Sequence, residues 1–149
     1  MIVREFRRDD LPQCLDLNKI QHKESNFRDL PLDLHKLKNS YLNAINNPRL
    51  KVFVMEVDGK IVGCCAVSLN QYLWNYDCFV SDHFYYIYPE HRRGMAALKL
   101  YKAVHDWAKS NRAVEIHFNY AHGNDNRMDL LLGKLGYKKY SENYRKMVM

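Results

Sequence analysis

The sequence predicts an α/β fold in which a mixed central sheet carries helices on both faces. Two observations support this: apolar runs of strand length alternate with segments of helical spacing, and turn residues separate them. At 149 residues the chain is long enough to bury a real core, and no Pro/Gly/Ser-rich linker divides it. We therefore expect one domain over residues 1–149.

The expected element order is β-α-α-β-β-β-α-β-α-β-β. In chain order, the predicted elements are strand 2–6, helix 10–25, helix 31–46, strand 50–57, strand 61–69, strand 77–88, helix 96–111, strand 114–119, helix 126–135, and strands 137–140 and 144–149.

Apolar residues at intervals of three and four predict the helices, and their ends carry recognisable signals. Asp9 or Asp10 is an N-cap candidate for the first helix, with Pro12 in its first turn. Pro31 opens the second helix, and Gly136 is an expected C′ glycine after the last.

Apolar runs bounded by turn residues predict the strands. Asp58-Gly59, between the second and third strands, is typical of a two-residue hairpin turn. Residues 70–76 form an aromatic-rich connection to the fourth strand, and the fifth follows the long helix.

The charge balance favours an anionic ligand. Lys and Arg number 23 against 17 Asp and Glu, which gives a formal net charge of +6. The basic residues are spread along the chain, so we rank nucleic-acid binding lowest and expect no specific nucleic acid. The chain has no apolar run near 18 residues and no signal-peptide core at its start, so we expect no membrane partner and a cytoplasmic location.

The cysteines and histidines argue against a metal site. The four cysteines show no Cys-x-x-Cys spacing, and the seven histidines contain no His-x-x-x-His pair on one helix. We expect buried free thiols in a reducing compartment and no metal.

Residues 88–97, Tyr-Pro-Glu-His-Arg-Arg-Gly-Met-Ala-Ala, are the most informative segment. They join a predicted strand to a predicted helix through a basic turn. A helix N-terminus has unpaired N–H groups and partial positive charge, and Gly94 allows close approach of a ligand. Arg92 and Arg93 add charge suited to phosphate. The segment predicts a site for a phosphorylated ligand.

The same segment resembles the acetyl-CoA pyrophosphate loop of the GCN5-related N-acetyltransferases, the GNAT superfamily. That loop is usually written Arg/Gln-x-x-Gly-x-Gly/Ala. If Gly94 and Ala96 are the small positions, His91 fills the first position; if Pro89 opens the motif, Arg92 fills it and the loop is one residue short. We prefer the second alignment.

Two further segments resemble the same superfamily, in the right order along the chain. Residues 57–63 are similar to its Asp-Gly hairpin, and residues 130–137 are similar to the end of its last helix. The predicted element order is the one that the superfamily shows. The sequence looks most like bacteriophage or bacterial members without an assigned substrate.

The resemblance implies that acetyl-CoA is the cosubstrate and lies where the fourth and fifth strands separate. Three residues of the fourth strand would pair with the pantetheine through their main chain: Tyr86, Ile87 and Tyr88. Six residues would hold the pyrophosphate through their N–H groups: Arg92, Arg93, Gly94, Met95, Ala96 and Ala97.

The resemblance also implies a general base for the amine acceptor. Asp82 and His83 lie on the fourth strand near the position of the carboxylate that the superfamily often uses. His117 on the next strand and His122 in the loop after it are alternatives, and an Asp or His on an exposed strand face is commonly just solvated.

Two departures from the superfamily pattern affect the site. Leu132 replaces the tyrosine that usually protonates the leaving thiolate, so the general acid is open. The connection over residues 119–126 is several residues longer than usual. Asn124 or Asn126 could make the cofactor contact of the superfamily's asparagine. Counted back from Leu132, Asp125 is the residue nearest to that position. Such a cluster is also typical of a turn and helix cap.

The leading hypothesis is therefore an acetyl-CoA-dependent N-acetyltransferase, in which a primary amine of a small molecule or protein attacks the thioester directly. The first two helices and residues 70–76 would build the acceptor side. The alternative is a non-catalytic CoA-binding sensor or partner-binding module, which the absence of tyrosine at position 132 favours. Many relatives pair through the sheet, so a homodimer is compatible with the final predicted strand.

Overall fold

The computed structural model describes residues 1–119 and 126–148. Within them, the elements are β1 (Ile2–Glu5), α1 (Leu11–Glu24), α2 (Leu34–Asn46), β2 (Leu50–Val57), β3 (Lys60–Gln71), β4 (Cys78–Ile87), α3 (Ala96–Ser110), β5 (Glu115–His117) and α4 (Asn126–Lys134). Short 3-10 turns precede α1 and α3. No helix in these ranges has the length and apolar character needed to cross a bilayer.

The five strands form one mixed sheet in the order β1-β2-β3-β4-β5. The first four strands pair antiparallel, and β5 joins β4 in parallel. Asp58 and Gly59 have φ values of 49° and 78°, so the hairpin between β2 and β3 has the positive φ values of a type I′ turn, as predicted. The α/β class with a mixed sheet is confirmed.

Helices cover both faces of the sheet, as expected. On one face, α1 and α2 bury Leu17 and Tyr41 against Val54 and other residues of β2 and β3. On the other face, α3 contributes apolar residues such as Leu100, which is fully buried together with Val80 of β4. Because β4 is packed from both sides, its position is fixed by two cores.

The starts of α1 and α2 differ from the sequence prediction. Helix α2 begins at Leu34 rather than Pro31, because the Asp33 carboxylate accepts a hydrogen bond from the N–H of Lys36 (3.0 Å) and caps the helix. Asp10 precedes α1, but its carboxylate binds the guanidinium of Arg4 and does not cap the helix.

The two predicted final strands are wrong for the residues described. Residues 137–148 follow α4 without strand pairing, and nearly all of their side chains are exposed, including Tyr144 and Val148 at 91% and 92%. The segment therefore gains little of the apolar burial that stabilises a strand on a sheet. Gly136, with φ of 88°, ends α4 as predicted, and the N–H of Tyr137 donates to the carbonyl of Leu132 (2.9 Å).

Candidate active site

Strands β4 and β5 separate after three paired positions. Their pairing covers Phe79 to Ser81 on β4 and ends at His117 on β5, whereas β4 continues to Ile87. A gap therefore opens beside the second half of β4, and we call it the β4–β5 cleft. This is the place where the resemblance predicts the pantetheine arm.

A β-bulge interrupts β4 at the start of this cleft. On β3, Val67 pairs with Asp82 and Ala66 pairs with Phe84, which leaves His83 as the extra residue. Because one residue is inserted, the alternation of the main-chain groups is reversed beyond it. The bulge thus decides which N–H groups of β4 reach the cleft.

The main chain of Tyr85 and Ile87 faces the cleft. The N–H of Tyr88 donates to the carbonyl of Val62 on β3 (2.9 Å), and successive residues of a strand point to opposite neighbours. Tyr86 and Tyr88 therefore pair with β3. Of the predicted main-chain set of Tyr86, Ile87 and Tyr88, only Ile87 faces the cleft, together with Tyr85. Sequence reasoning missed this because a bulge has no local sequence signal here.

The side chain of Arg92 turns back toward β4. Its Nε donates to the carbonyl of Ile87 (2.7 Å), and its guanidinium lies 5.1 Å from the ring centroid of Tyr86. Glu24, at the end of α1, accepts from the Tyr86 hydroxyl (2.7 Å) and contacts Arg92 (3.5 Å). Arg92 thus links the end of β4 to α1. Its main-chain N–H, predicted to hold the pyrophosphate, donates to the carbonyl of Pro89 (3.3 Å).

The loop between β4 and α3 has the features of an anion site. Gly94 has a φ of 77°, which only glycine adopts readily, and no atom lies within 4 Å of a Cβ built there. Met95 occupies the N-cap position of α3, and within the described ranges no side chain caps that helix. Ala96 is 1% exposed and anchors the first turn in the core. The first N–H groups of α3 therefore fit a diphosphate.

Asp82 is the carboxylate beside the cleft. The N–H of Asn119 and its side-chain amide both donate to Oδ1 of Asp82, at 2.8 and 3.1 Å. Burial raises the pKa of the Asp82 carboxyl, and the hydrogen bonds from Asn119 oppose that rise. His83, the bulge residue, is exposed. Of these two predicted base candidates, Asp82 is therefore held by hydrogen bonds, whereas His83 is exposed to solvent.

Aromatic rings fill the α3 side of the cleft. Tyr85 stacks on Tyr101 (4.8 Å between centroids), and Phe118 contacts Tyr101 and Tyr137 at 4.8 and 5.4 Å. Burial raises the pKa of Tyr137 to about 12, so its hydroxyl is neutral at physiological pH. The Tyr85 hydroxyl is buried and has no hydrogen-bond partner among the described residues. Leu132, half-buried on α4, contributes no proton donor.

His117 belongs to a separate aromatic group at the opposite end of β4. Its ring stacks on Phe79 (4.5 Å) and lies 5.1 Å from the ring of Tyr140. Tyr72 joins this group and donates to the carboxylate of Glu115. These contacts give His117 a packing role.

The predicted acceptor side is only partly assembled. Trp74 and Tyr76 are 85% and 91% exposed at the tip of the β3–β4 connection. Instead, an open cleft of about 1650 Å³ lies between β5, α3 and the C-terminal segment, and its lining includes Asn26, His117, Asn119, Leu132, Tyr137 and Tyr144. The guanidinium of Arg145 donates to the carbonyl of Asn26 (2.5 Å), so the C-terminal segment reaches the α1–α2 connection.

Several predicted residues lie outside the described part of the chain. His122 and Asn124 fall in the gap between residues 119 and 126, as does Asp125. Asn126 is the first residue of α4. Among the described residues, no group of three or more His, Cys, Asp or Glu side chains could hold a metal ion.

Sequence reasoning also missed Glu24 and Asn119 as members of the site. Glu24 is close to Arg92 only because α1 packs beside the end of β4. Asn119 was assigned to the fifth strand, whereas it follows that strand by two residues and bonds to Asp82. Neither contact has a spacing signal in the sequence.

Most of the chain matches the model of one protein family. The model of the acetyltransferase (GNAT) family matches residues 11–137. Among curated proteins, none matches the sequence.

Solved structures share the fold across nearly the whole chain. A possible acetyltransferase from Clostridium difficile 630 is 20% identical, with a TM-score of 0.75, over 99% of this chain and 97% of the other. The ribosomal-protein-alanine N-acetyltransferase of Brucella melitensis biovar Abortus 2308 is 12% identical, with a TM-score of 0.75 and 99% coverage of both chains. An aminoglycoside N-acetyltransferase in complex with CoA is 17% identical, with a TM-score of 0.74, over 98% of this chain and 99% of the other. The family model covers the core from α1 to the end of α4, so this chain belongs to the GNAT acetyltransferase family.

Proposed function

We propose that this protein is an acetyl-CoA-dependent N-acetyltransferase that acts on a primary amine. One observation carries the proposal: β4 separates from β5 and leads through Gly94, at a φ of 77°, into the uncapped N-terminus of α3. This arrangement offers main-chain donors along a cleft and an anion site at its end. A long ligand with a diphosphate group fits both features.

The cleft supplies hydrogen-bond donors for the reacting end of acetyl-CoA, which provides the acetyl group as a thioester. The N–H groups of Tyr85 and Ile87 point into the cleft, and either can donate to the thioester carbonyl oxygen, where negative charge develops. Loss of one such donor typically raises a barrier by about 3 kcal/mol. The carbonyl of Ile87 is already bound by Arg92, which fixes the strand in this orientation.

Asp82 is our candidate for the general base. An aliphatic amine is mostly protonated near neutral pH, so its proton must be removed before it attacks. Burial raises the pKa of Asp82, which makes its carboxylate a stronger base than an exposed one. Ile87 is the fifth residue after Asp82 along β4, a distance on the order of 15 Å, so the proton passes through water. His83 is the alternative base.

The acceptor is a small-molecule or protein amine. Relatives of the same fold include an aminoglycoside acetyltransferase and a ribosomal-protein-alanine acetyltransferase, so the fold accommodates both kinds. The formal charge of +6 favours an acceptor or partner with acidic groups.

Titration calorimetry with acetyl-CoA at moderate salt tests the proposal. We expect stoichiometric binding near micromolar affinity, about −8 kcal/mol. Gly94→Ala should weaken binding about tenfold, because a Cβ at positive φ costs about 1–2 kcal/mol. Gly133→Ala is the matched control, since this glycine lies in α4 with open space around it. Equal affinity in wild type and Gly94→Ala, with unchanged melting temperatures, would contradict the assigned loop.

Acetyl transfer is tested by incubating the protein with radiolabelled acetyl-CoA and a cell extract. Separation by size distinguishes a small acceptor from a protein acceptor. We expect label in one fraction, and Asp82→Asn should remove it while acetyl-CoA binding persists.

A non-catalytic CoA-binding module is the second candidate, and Leu132 in place of the superfamily's tyrosine favours it. This candidate predicts tight CoA binding without transfer to any amine. A thiol has a pKa of about 8.5, so the thiolate of CoA is a good leaving group even without a proton donor. We therefore rank catalysis first.

A further inference from the structure

Asn119 makes two hydrogen bonds that converge on one oxygen of Asp82. Its main-chain N–H and its side-chain amide donate to Oδ1 at 2.8 and 3.1 Å. One oxygen of the carboxylate is therefore held by Asn119, and among the described residues no other residue donates to the second oxygen.

We propose that Asn119 is a positioning residue for acetyl transfer: it fixes Oδ1 of Asp82 so that Oδ2 alone accepts the proton of the acceptor amine. The proposal rests on the proposed function, in which Asp82 is the base. It adds Asn119, which lies outside β4, to the residues that act in acetyl transfer.

The same contact explains where β4 and β5 separate. The last paired positions are Ser81 on β4 and His117 on β5. Two residues further along, the N–H of Asn119 donates to a side chain instead of to a carbonyl of β4. The ladder between the two strands is therefore replaced at this point by the contact of Asn119 with the Asp82 side chain.

Burial and the hydrogen bonds from Asn119 have the largest effects on the pKa of Asp82, and the N–H of Asp82 itself and the nearby His83 lower it further. Cys65 on β3, Tyr101 on α3 and Tyr137 after α4 face the carboxylate, and burial raises the pKa of each, so all three are neutral near pH 7. His83, its neighbour on β4, is exposed to solvent. Within the described ranges, hydrogen bonds to Asp82 from other residues come from Asn119 alone.

The test uses Asn119→Ala and Asn119→Asp in the full-length protein, with Ser81→Ala as the control. Ser81 Oγ is the other partner of the Asn119 amide (3.4 Å) and does not contact the carboxylate of Asp82. The first readout is the pKa of Asp82, measured by carbon-13 NMR of its carboxyl carbon and assigned with Asp82→Asn. The second is the pH profile of kcat/KM with acetyl-CoA and an amine acceptor.

We expect Asn119→Ala to raise the pKa of Asp82 by about half to one unit, because one of two donors is lost and the main-chain donor remains. Asn119→Asp should raise it further, since a second carboxylate repels the first. The acidic limb of kcat/KM should move by the same amount, and Ser81→Ala should leave both readouts unchanged.

Two results would overturn the inference. An unchanged Asp82 pKa in both Asn119 variants would show that the contact does not hold the carboxylate. A shifted pKa without a shift of the acidic limb would show that the contact has no role in transfer. Wild-type turnover in Asp82→Asn would instead remove the base assigned in the proposed function, and absence of acetyl-CoA binding would remove the proposed function itself.

Discussion

At the scale of single residues, the charged carboxylate of Asp82 lowers stability, although the proposed chemistry requires it. Its carboxyl is largely withdrawn from water, and burial raises its pKa above the ordinary value of 3.8. A raised pKa in the folded state means that folding favours the protonated form. The charged form at neutral pH is therefore a cost to stability, which the proposed role of Asp82 as general base requires.

We predict that Asp82→Asn raises the melting temperature at pH 7 by a few degrees while it abolishes transfer. The gain should shrink as the pH falls toward 3.8, because the wild-type carboxyl becomes neutral and loses its desolvation cost. Differential scanning calorimetry at pH 7 and near pH 4 measures both effects.

Asp9→Asn is the control, because Asp9 is exposed and its substitution should change the melting temperature little. A lower melting temperature for Asp82→Asn at pH 7 would contradict the prediction and would make the charge of Asp82 a net stabiliser.

At the scale of elements, Arg4 connects β1 to the start of α1. Its guanidinium donates two hydrogen bonds of 2.8 Å to the carboxylate of Asp10, and its Nε donates to Glu56 on β2 (2.9 Å). The N–H of Arg7 adds a further bond to Asp10 (2.7 Å), and Asp10 is 6% exposed. Such a bidentate, half-buried pair contributes more than a surface pair.

We predict that Asp10→Asn destabilises the protein by about 2–3 kcal/mol at pH 7, because the half-buried guanidinium loses the charge of one of its two carboxylate partners. The Arg4 hydrogen bond lowers the pKa of Asp10, so this stabilisation is present above 3.8 and is lost as the pH falls through the lower folded value. Urea unfolding at pH 7 and at pH below 3.8 measures the free energy and its disappearance.

Asp106→Asn removes the exposed α3 pair with Lys102 and serves as the control. We expect it to leave the free energy of unfolding nearly unchanged, because the pair is exposed to solvent. Equal effects of the two variants would contradict a special role for the Arg4 pair.

At the scale of the whole molecule, the two cores on either side of the sheet enclose three of the four thiols. Cys14, Cys64 and Cys65 are fully buried, whereas Cys78 at the start of β4 is partly exposed. Burial also raises the pKa of the Cys64 and Cys65 thiols, which disfavours the reactive thiolate.

We predict that a thiol reagent modifies one cysteine quickly in the native protein and four after unfolding in denaturant. The fast thiol is Cys78, so Cys78→Ser should remove the fast phase and leave the slow phase. Spectrophotometric titration with an aromatic disulfide counts both. Two or more fast thiols in the native protein would show that one of the cores opens readily.

Residue type and spacing were enough to predict the elements through α4. Strand β2 was predicted with its observed bounds, and the hairpin at Asp58-Gly59 has the expected positive φ values. Gly94 also has the positive φ that its place in a basic turn suggested. These features depend on local conformational preference and on the period of apolar residues, which the sequence contains directly.

Only the tertiary structure decided which groups of these elements meet. The bulge at His83 turns Tyr85 and Ile87 toward the cleft, and it follows from the pairing of β4 with β3. The side chain of Arg92 binds the end of β4, where Glu24 lies beside it. Asn119 follows β5 and binds Asp82 on the neighbouring strand β4. The predicted final strands fail for the same reason: pairing requires a partner that buries apolar surface, and residues 137–148 remain exposed. The sequence by itself determined the element order through α4 and the positive φ at Gly94, because these depend on local preference, and its motifs indicated the family. Register, side-chain partners and the orientation of the base depend on contacts between distant residues, and only packing sets them.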